Sequence, residues 1–270
     1  MRFPGQILVL ALLAAGALPR NSFLGFDRND YPGDDAVPIL RKSYSFTSYW
    51  LSPPPGETQS TWLGKRSLLQ AQGFGFALLF NAKESREIKS AQDAVRFGTS
   101  QAKTAAKIAK QEGFLEGTVI FLDVEEGGRL PGLYHVYLQS WYDALAKVGF
   151  HAGVYCSGIP VDEGAGGTIV TADDIHAHMA TRDLLYWVYN DACPPSLGCT
   201  SLTNPPAPSK SGIPYASIWQ FVRSPRETQF ASHCSGYAPD ENCYAPGDSS
   251  HRWFLDVNVA SSWDPSAPNR

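Results

Sequence analysis

The sequence predicts an α/β fold, a single-domain (β/α)8 barrel of the TIM type. Three observations lead there. Eight short apolar runs recur along the 270 residues, helical patterns separate several of them, and no glycine-rich phosphate turn follows the first run. Most of the runs are continuously apolar, as strands covered on both faces are. Strands alternating with helices imply a parallel sheet, and eight of them imply closure. The rival, a doubly wound open sheet, usually has a Gly-rich turn after its first strand. Asp27-Arg28-Asn29-Asp30 stands there instead.

The strands are expected at residues 23–27, 45–50, 74–81, 118–125, 151–157, 185–190, 217–222 and 254–259, all taken as parallel. Helices are expected at 64–72, 90–112 and 133–148, with a shorter one at 173–179 that has Thr171 as its N-cap. Residues 191–214, rich in Pro, Ser and Gly, and the polar stretch 223–252 read as long loops late in the chain. Cys193 and Cys199 lie in the first loop and Cys234 and Cys243 in the second, so each pair is expected to form a local disulfide, with Cys156 left as a buried free thiol. Zinc is disfavoured, since no Cys-x-x-Cys occurs.

Residues 1–20 read as a secretory signal. Arg2 precedes an apolar stretch at 7–18, which ends among the small residues Ala14, Ala15, Gly16 and Ala17. That stretch is short for a membrane span, the alternative being an uncleaved anchor. The barrel is then assigned to 21–263 and a loose tail to 264–270. Hydrophobic residues make up 43%, aromatics 12% and charged residues only 18%, with a formal net charge of −4. This balance fits an extracellular protein that handles sugars or cell-wall material. It excludes a nucleic-acid binder, which would need a basic stripe.

Catalytic groups of a parallel barrel sit at the carboxyl ends of its strands. Asp27 ends the first run, Asp123 and Glu125 end the fourth, and Asp256 lies on the eighth. Asp123 and Glu125 are two apart on a strand, so they share a face. Acids that follow the apolar run 118–122 face costly desolvation unless paired, hydrogen-bonded or put to use. Neighbouring carboxylates push each other's pKa values apart, leaving one as an acid and the other ionised, which is what glycoside hydrolysis requires. The bland alternative is a helix cap or a surface acid cluster.

Several segments recur in a familiar order: Phe26-Asp27, Phe121-Leu122-Asp123-Val124-Glu125, Trp141 with Gly149-Phe150-His151-Ala152-Gly153-Val154-Tyr155, Leu185-Tyr186-Trp187, Ile218-Trp219-Gln220-Phe221 and Leu255-Asp256-Val257-Asn258. Together they resemble the family 25 glycoside hydrolases, lysozymes of the N-acetylmuramidase type, and more closely the related glycoside-hydrolase-like barrels of unknown function. The resemblance implies that Glu125 is the general acid, Asp123 its partner carboxylate, and Asp27 and Asp256 the acids of the first and last strands. No cofactor and no metal are expected. Arg28-Asn29 after Asp27 and the two long loops depart from the muramidase pattern.

Tyr49, Trp50, Trp187, Tyr189 and Trp219 lie at or near strand ends, where aromatic faces pack on sugar rings. Gln220 and Asn258, from the same motifs, complete the candidate substrate contacts, while Phe121 and Phe221 read as core. His176 and His178 are two apart on a helix and diverge, and His135, His151, His233 and His251 have no ligand spacing. The expected function is a secreted, monomeric hydrolase of peptidoglycan or a related amino-sugar polymer, with no nucleic-acid partner and no membrane span after signal removal. The alternative is a barrel that binds glycan or cell wall without cleaving it. A protein-interaction role is a third option.

Overall fold

The computed structural model describes residues 22–191, 205–223 and 253–268. The signal segment, both expected disulfides and most of the two long loops lie outside these residues. Cys156 is buried and free.

Eight strands close a barrel: β1 (Phe23–Asp27), β2 (Phe46–Trp50), β3 (Gly75–Asn81), β4 (Val119–Asp123), β5 (His151–Ser157), β8 (Leu185–Tyr189), β9 (Ala216–Val222) and β10 (Asp256–Ala260). Their order around the barrel is β1-β10-β9-β8-β5-β4-β3-β2. Each lies within two residues of its expected place. One expectation is corrected. β10 runs antiparallel to both neighbours, β1 and β9, while every other pairing in the barrel is parallel. Asp256 therefore starts its strand instead of ending it. Antiparallel pairing puts that start opposite the end of β1, and Asp256 faces Asp27 across the ladder. The expected rim is reached from the opposite strand direction.

The helices are fewer than a full (β/α)8 set among the described residues. A four-residue turn of helix, α1 (Val37–Leu40), follows β1, and α2 (Arg66–Ala71) follows β2. The longest are α3 (Ala91–Gln111) and α4 (Gly132–Lys147), with α5 (Thr171–Met179) third. Thr171 is the first residue of α5 and not its cap, which is Val170. Between β8 and β9 the described residues hold only a 3-10 turn, Pro208–Ser211. An antiparallel hairpin, β6 (Pro160–Gly164) and β7 (Gly167–Val170), precedes α5 and was not expected from the sequence, since its short polar strands carry no apolar run.

α3 begins where the Ser90 hydroxyl accepts the Asp93 amide. Its buried stripe is Ala94, Gly98, Ala102, Ala105, Ala106 and Ala109, small residues that let α4 approach closely. A β-carbon on Gly98 would lie 2.5 Å from the Tyr137 carbonyl oxygen and 2.9 Å from the Trp141 amide nitrogen. Alanine normally gains about 1 kcal/mol over glycine in a helix. Here the clash is with backbone, so Gly98→Ala is expected to destabilise by about 1–3 kcal/mol. A denaturation midpoint at or above wild type would refute this packing.

Residues 264–268, expected as the start of a loose tail, are tied to the barrel's base. The Ser266 amide donates to the Phe76 carbonyl at 2.7 Å, and the Val119 amide donates to the Ser266 carbonyl at 3.0 Å. The Ser266 hydroxyl accepts the Leu78 amide, and Asp264 accepts that of Phe76. These bonds satisfy backbone donors at the starts of β3 and β4, where β3–β4 pairing begins only at Leu78 and Ile120.

Candidate active site

Side chains alternate along each strand, so one set fills the barrel and the other faces the helices. Asp27, Asp123, Tyr155, Tyr189, Gln220 and Asn258 belong to the inward set. Asn258 joins two strands: its amide nitrogen donates to Asp27 Oδ2 at 2.6 Å and to the Asp256 carbonyl at 3.2 Å. Its amide oxygen accepts Trp187 Nε1–H at 2.8 Å. This chain from Trp187 through Asn258 fixes the orientation of the Asp27 carboxyl.

The acids perturb one another. Burial pushes the Asp27 pKa up to about 7; the Asn258 bond opposes this and the charge of Glu125 adds to it. Asp123 is pushed well above the usual carboxylate range, chiefly by burial, then by the charges of Glu125 and Asp27 and by a hydrogen bond shared with Glu125. Glu125 is also raised, by desolvation of its carboxyl, but the charge of Arg223 and the bond to Asp123 pull it down. Its surface stays open to solvent, two residues beyond the end of β4, so the upward push is tempered. Asp123 Oδ2 is sealed from solvent and meets no N–H or O–H donor. The bond between the two carboxyls raises Asp123 and lowers Glu125, which favours a proton held on Asp123. Tyr155 sits among all four acids, and after burial each of their charges raises its pKa further.

Arg223, at the end of β9, is held by a bidentate pair with the buried Asp191 at 2.7 and 3.1 Å. Its guanidinium lies 5.0 Å from the centre of the Tyr189 ring. Asp191 and Arg223 thus set a cation beside Glu125. On the Asp256 side, a pocket of about 250 Å³ is lined by Arg28, Asn29, Asp30, Phe254 and Asp256. Phe254 is exposed there.

The structure brings Asp27, Asp123, Glu125 and Asp256 to one end of the barrel. The aromatic candidates divide. Trp50 donates from Nε1 to the Arg28 carbonyl at 3.2 Å, and Tyr189 packs on Tyr155 with ring centres 5.4 Å apart; both are at the mouth. Trp187 is wholly buried below it, edge-on to Phe121 and Tyr155. Tyr49 and Trp219 are not brought to the site. Tyr49 faces outward against Phe76 and Phe114 and donates its hydroxyl to Glu112, and Trp219 Nε1 donates to the Asn190 carbonyl. Strand-end position alone does not tell inward from outward, and both residues occupy the outward parity. Gln220 lies inside the barrel, fully buried, with neither amide atom bonded.

Sequence reasoning did not single out Tyr155, Arg223, Asp191, Arg28 or Phe254. Tyr155 had a usable signal, an inward position in the run 151–157 level with Asp123. Arg223 and Asp191 had none, because their pairing is made between the ends of the neighbouring strands β9 and β8, 32 residues apart in sequence.

The class of this closed eight-stranded barrel, with carboxyls gathered at one mouth, follows from its family. The chain belongs to the family described as the Rv2525c-like, glycoside hydrolase-like domain, whose model matches residues 55–193. Solved structures share the fold. An uncharacterized B. stearothermophilus protein is 14% identical, with 88% of this chain and 95% of that one covered at a TM-score of 0.55. The Clostridium perfringens spore cortex lytic enzyme SleM is 15% identical, with 93% and 71% covered at 0.55. The Mycobacterium tuberculosis Tat-secreted protein Rv2525c, in complex with L-tartrate, is 13% identical, with 88% and 94% covered at 0.51. Among the curated proteins none matches.

Proposed function

We propose that the protein is a secreted glycoside hydrolase acting on peptidoglycan or a related amino-sugar polymer. The observation that carries this is the meeting of Asp27, Asp123, Glu125 and Asp256 around Tyr155 at the mouth of the barrel, where Asp123 and Glu125 share a hydrogen bond. Hydrolysis of a glycosidic bond needs one carboxyl that donates a proton and another that answers the positive charge developing on the sugar. Glu125, open to the mouth, protonates the leaving oxygen. Asp123, which holds the shared proton at rest, passes it to Glu125 and then stabilises the oxocarbenium-like centre or orients an acetamido group or a water. Asp27 is kept in place by Asn258, which also bonds the Asp256 main-chain carbonyl, and Asp256 adds its charge beside Tyr155 and Arg28. Phe254, exposed beside Asp256, supplies apolar surface for a sugar ring, with Trp50 and Tyr189 buried behind the mouth. The fold shared with SleM, named as a spore cortex lytic enzyme, supports the substrate class, and the Tat-secreted Rv2525c supports export.

One observation favours a second reading, a barrel that binds glycan without cleaving it. Arg28, partly buried, sits beside Asp256 and Asp30 and offsets negative charge on the pocket side of the site. Incubating the purified protein with peptidoglycan, chitin oligomers and other polysaccharides separates the two. Release of reducing ends supports the hydrolase; retention on insoluble glycan with no products supports the binder.

A further inference from the structure

Between α4 and α5, the structure brings together His135, Asp174 and His178. One potential donor atom from each lies within 4.8 Å of the others. His135 Nε2 is 3.2 Å from Asp174 Oδ2, and His178 Nδ1 is 3.8 Å from Asp174 Oδ1. Ligand atoms on a tetrahedral zinc, each about 2.0–2.2 Å from the metal, stand roughly 3.3–3.6 Å apart. The two separations to Asp174, 3.2 and 3.8 Å to its two oxygens, bracket that spacing.

A second observation is independent of spacing. Asp174 and His135 are 2% and 5% exposed, yet Asp174 Oδ1 and His135 Nδ1 have no hydrogen-bond partner. A buried carboxylate oxygen without a donor is costly and calls for a cation or a proton. The nearest cation, Arg129, reaches only to 3.6 Å of Asp174 Oδ1 and gives its short bonds, 2.7 and 2.9 Å, to Glu163. Asp174 Oδ2 is positioned by the Leu130 amide at 3.0 Å, the second-shell bond expected of a ligating carboxylate.

We propose that His135, Asp174 and His178 form a structural site for a borderline transition-metal dication, zinc foremost. Two imidazoles and a carboxylate suit zinc, whereas calcium and magnesium call for oxygen ligands. The two rings stack with centres 3.6 Å apart and planes 12° from parallel, so their lone pairs diverge in this arrangement. Ligation turns the His178 ring, whose side chain is 45% exposed, and exchanges the bond between its Nδ1 and the Asp174 main-chain carbonyl, 2.8 Å here, for one to the metal. The metal would join α4 to α5 and, through Leu130, steady the segment between Glu125 and α4. The sequence concealed the site because His135 comes from a different helix from the other two. This inference does not depend on the proposed hydrolase activity.

The test uses untagged full-length protein, stripped with EDTA and titrated with zinc by calorimetry, then with cobalt by absorption. One equivalent of zinc per chain is expected, with cobalt d–d bands and no thiolate charge-transfer band. His178→Ala, at an exposed position, should keep the fold and weaken zinc about 10–100-fold or more, as loss of even an outer-shell partner does. Magnesium and calcium should not compete. Absence of saturable zinc binding, unchanged binding in His178→Ala, or a thiolate band that places the metal on cysteines would each overturn the proposal.

Discussion

Glu125→Gln is expected to lower glycan turnover by about 10²–10⁴-fold while leaving the folded protein intact, because a positioned proton donor typically contributes that much. Glutamine keeps the shape and accepts the same hydrogen bond from Asp123, but it has no proton to give. Glu125 stands open to solvent beyond the end of β4, so the exchange disturbs no core packing. A merely structural acid would behave otherwise, with turnover unchanged or lost along with the melting transition. The pH profile carries the same information. Glu125 is raised above the usual carboxylate range, so activity should be greatest on the acid side and fall as pH climbs through that raised pKa. Equal turnover by wild type and Glu125→Gln would remove Glu125 from the acid's role.

Asp27→Asn is expected to stabilise the protein at pH 8 and to do nothing at pH 4. Asp27 titrates near 4 in the unfolded chain and at about 7 in the folded one. A raised folded pKa gives stability that is fully present below the unfolded pKa and is lost as pH rises through the folded pKa. The wild type should therefore weaken between about pH 4 and pH 7 and level off above. A shift of this size corresponds to a ceiling of about 4 kcal/mol, shared with Asp123 and Glu125 because the three charges repel one another. Asparagine retains an oxygen to accept the Asn258 amide and removes the charge. Denaturation midpoints at the two pH values provide the check, and a variant weaker than wild type at pH 8 would contradict the burial of a charge at this position. A site held at such a cost is what selection for function leaves behind.

Much of the barrel was legible because strands covered on both faces must be apolar throughout. The runs at 74–81, 118–125 and 151–157 could hardly be anything else. The direction of β10 was not legible. A strand of five residues reads the same in either sense, and the chain leading into it supplies no helix signal. The acid positions were legible for a related reason, since a carboxylate after a buried strand stands out against its surroundings. The aromatic contacts were only partly so. Tyr49 and Trp50 are neighbours in sequence, yet one meets α3 and the other the mouth, and strand parity can be fixed only by the partners on either side. The Arg223–Asp191 pair and the His135–Asp174–His178 cluster join distant segments and leave no local pattern.

The bonds made by residues 264–268 at the starts of β3 and β4 bear on how the molecule reaches its native state. Phe76 and Leu78 are bonded to groups 188 residues further on, and β1 is bonded to β10. Closing such loops costs entropy before any contact repays it, and a high mean sequence separation slows folding. α3 and α4, which pack side by side with one strand between them, are able to assemble early around β3, β4 and β5. The ring itself cannot shut until the last strand and the segment beyond it arrive, so during synthesis the seven-stranded open sheet presents the edges of β1 and β9. Whatever shields those edges in the interval, whether speed of completion or a chaperone, guards the step at which aggregation competes most directly with folding.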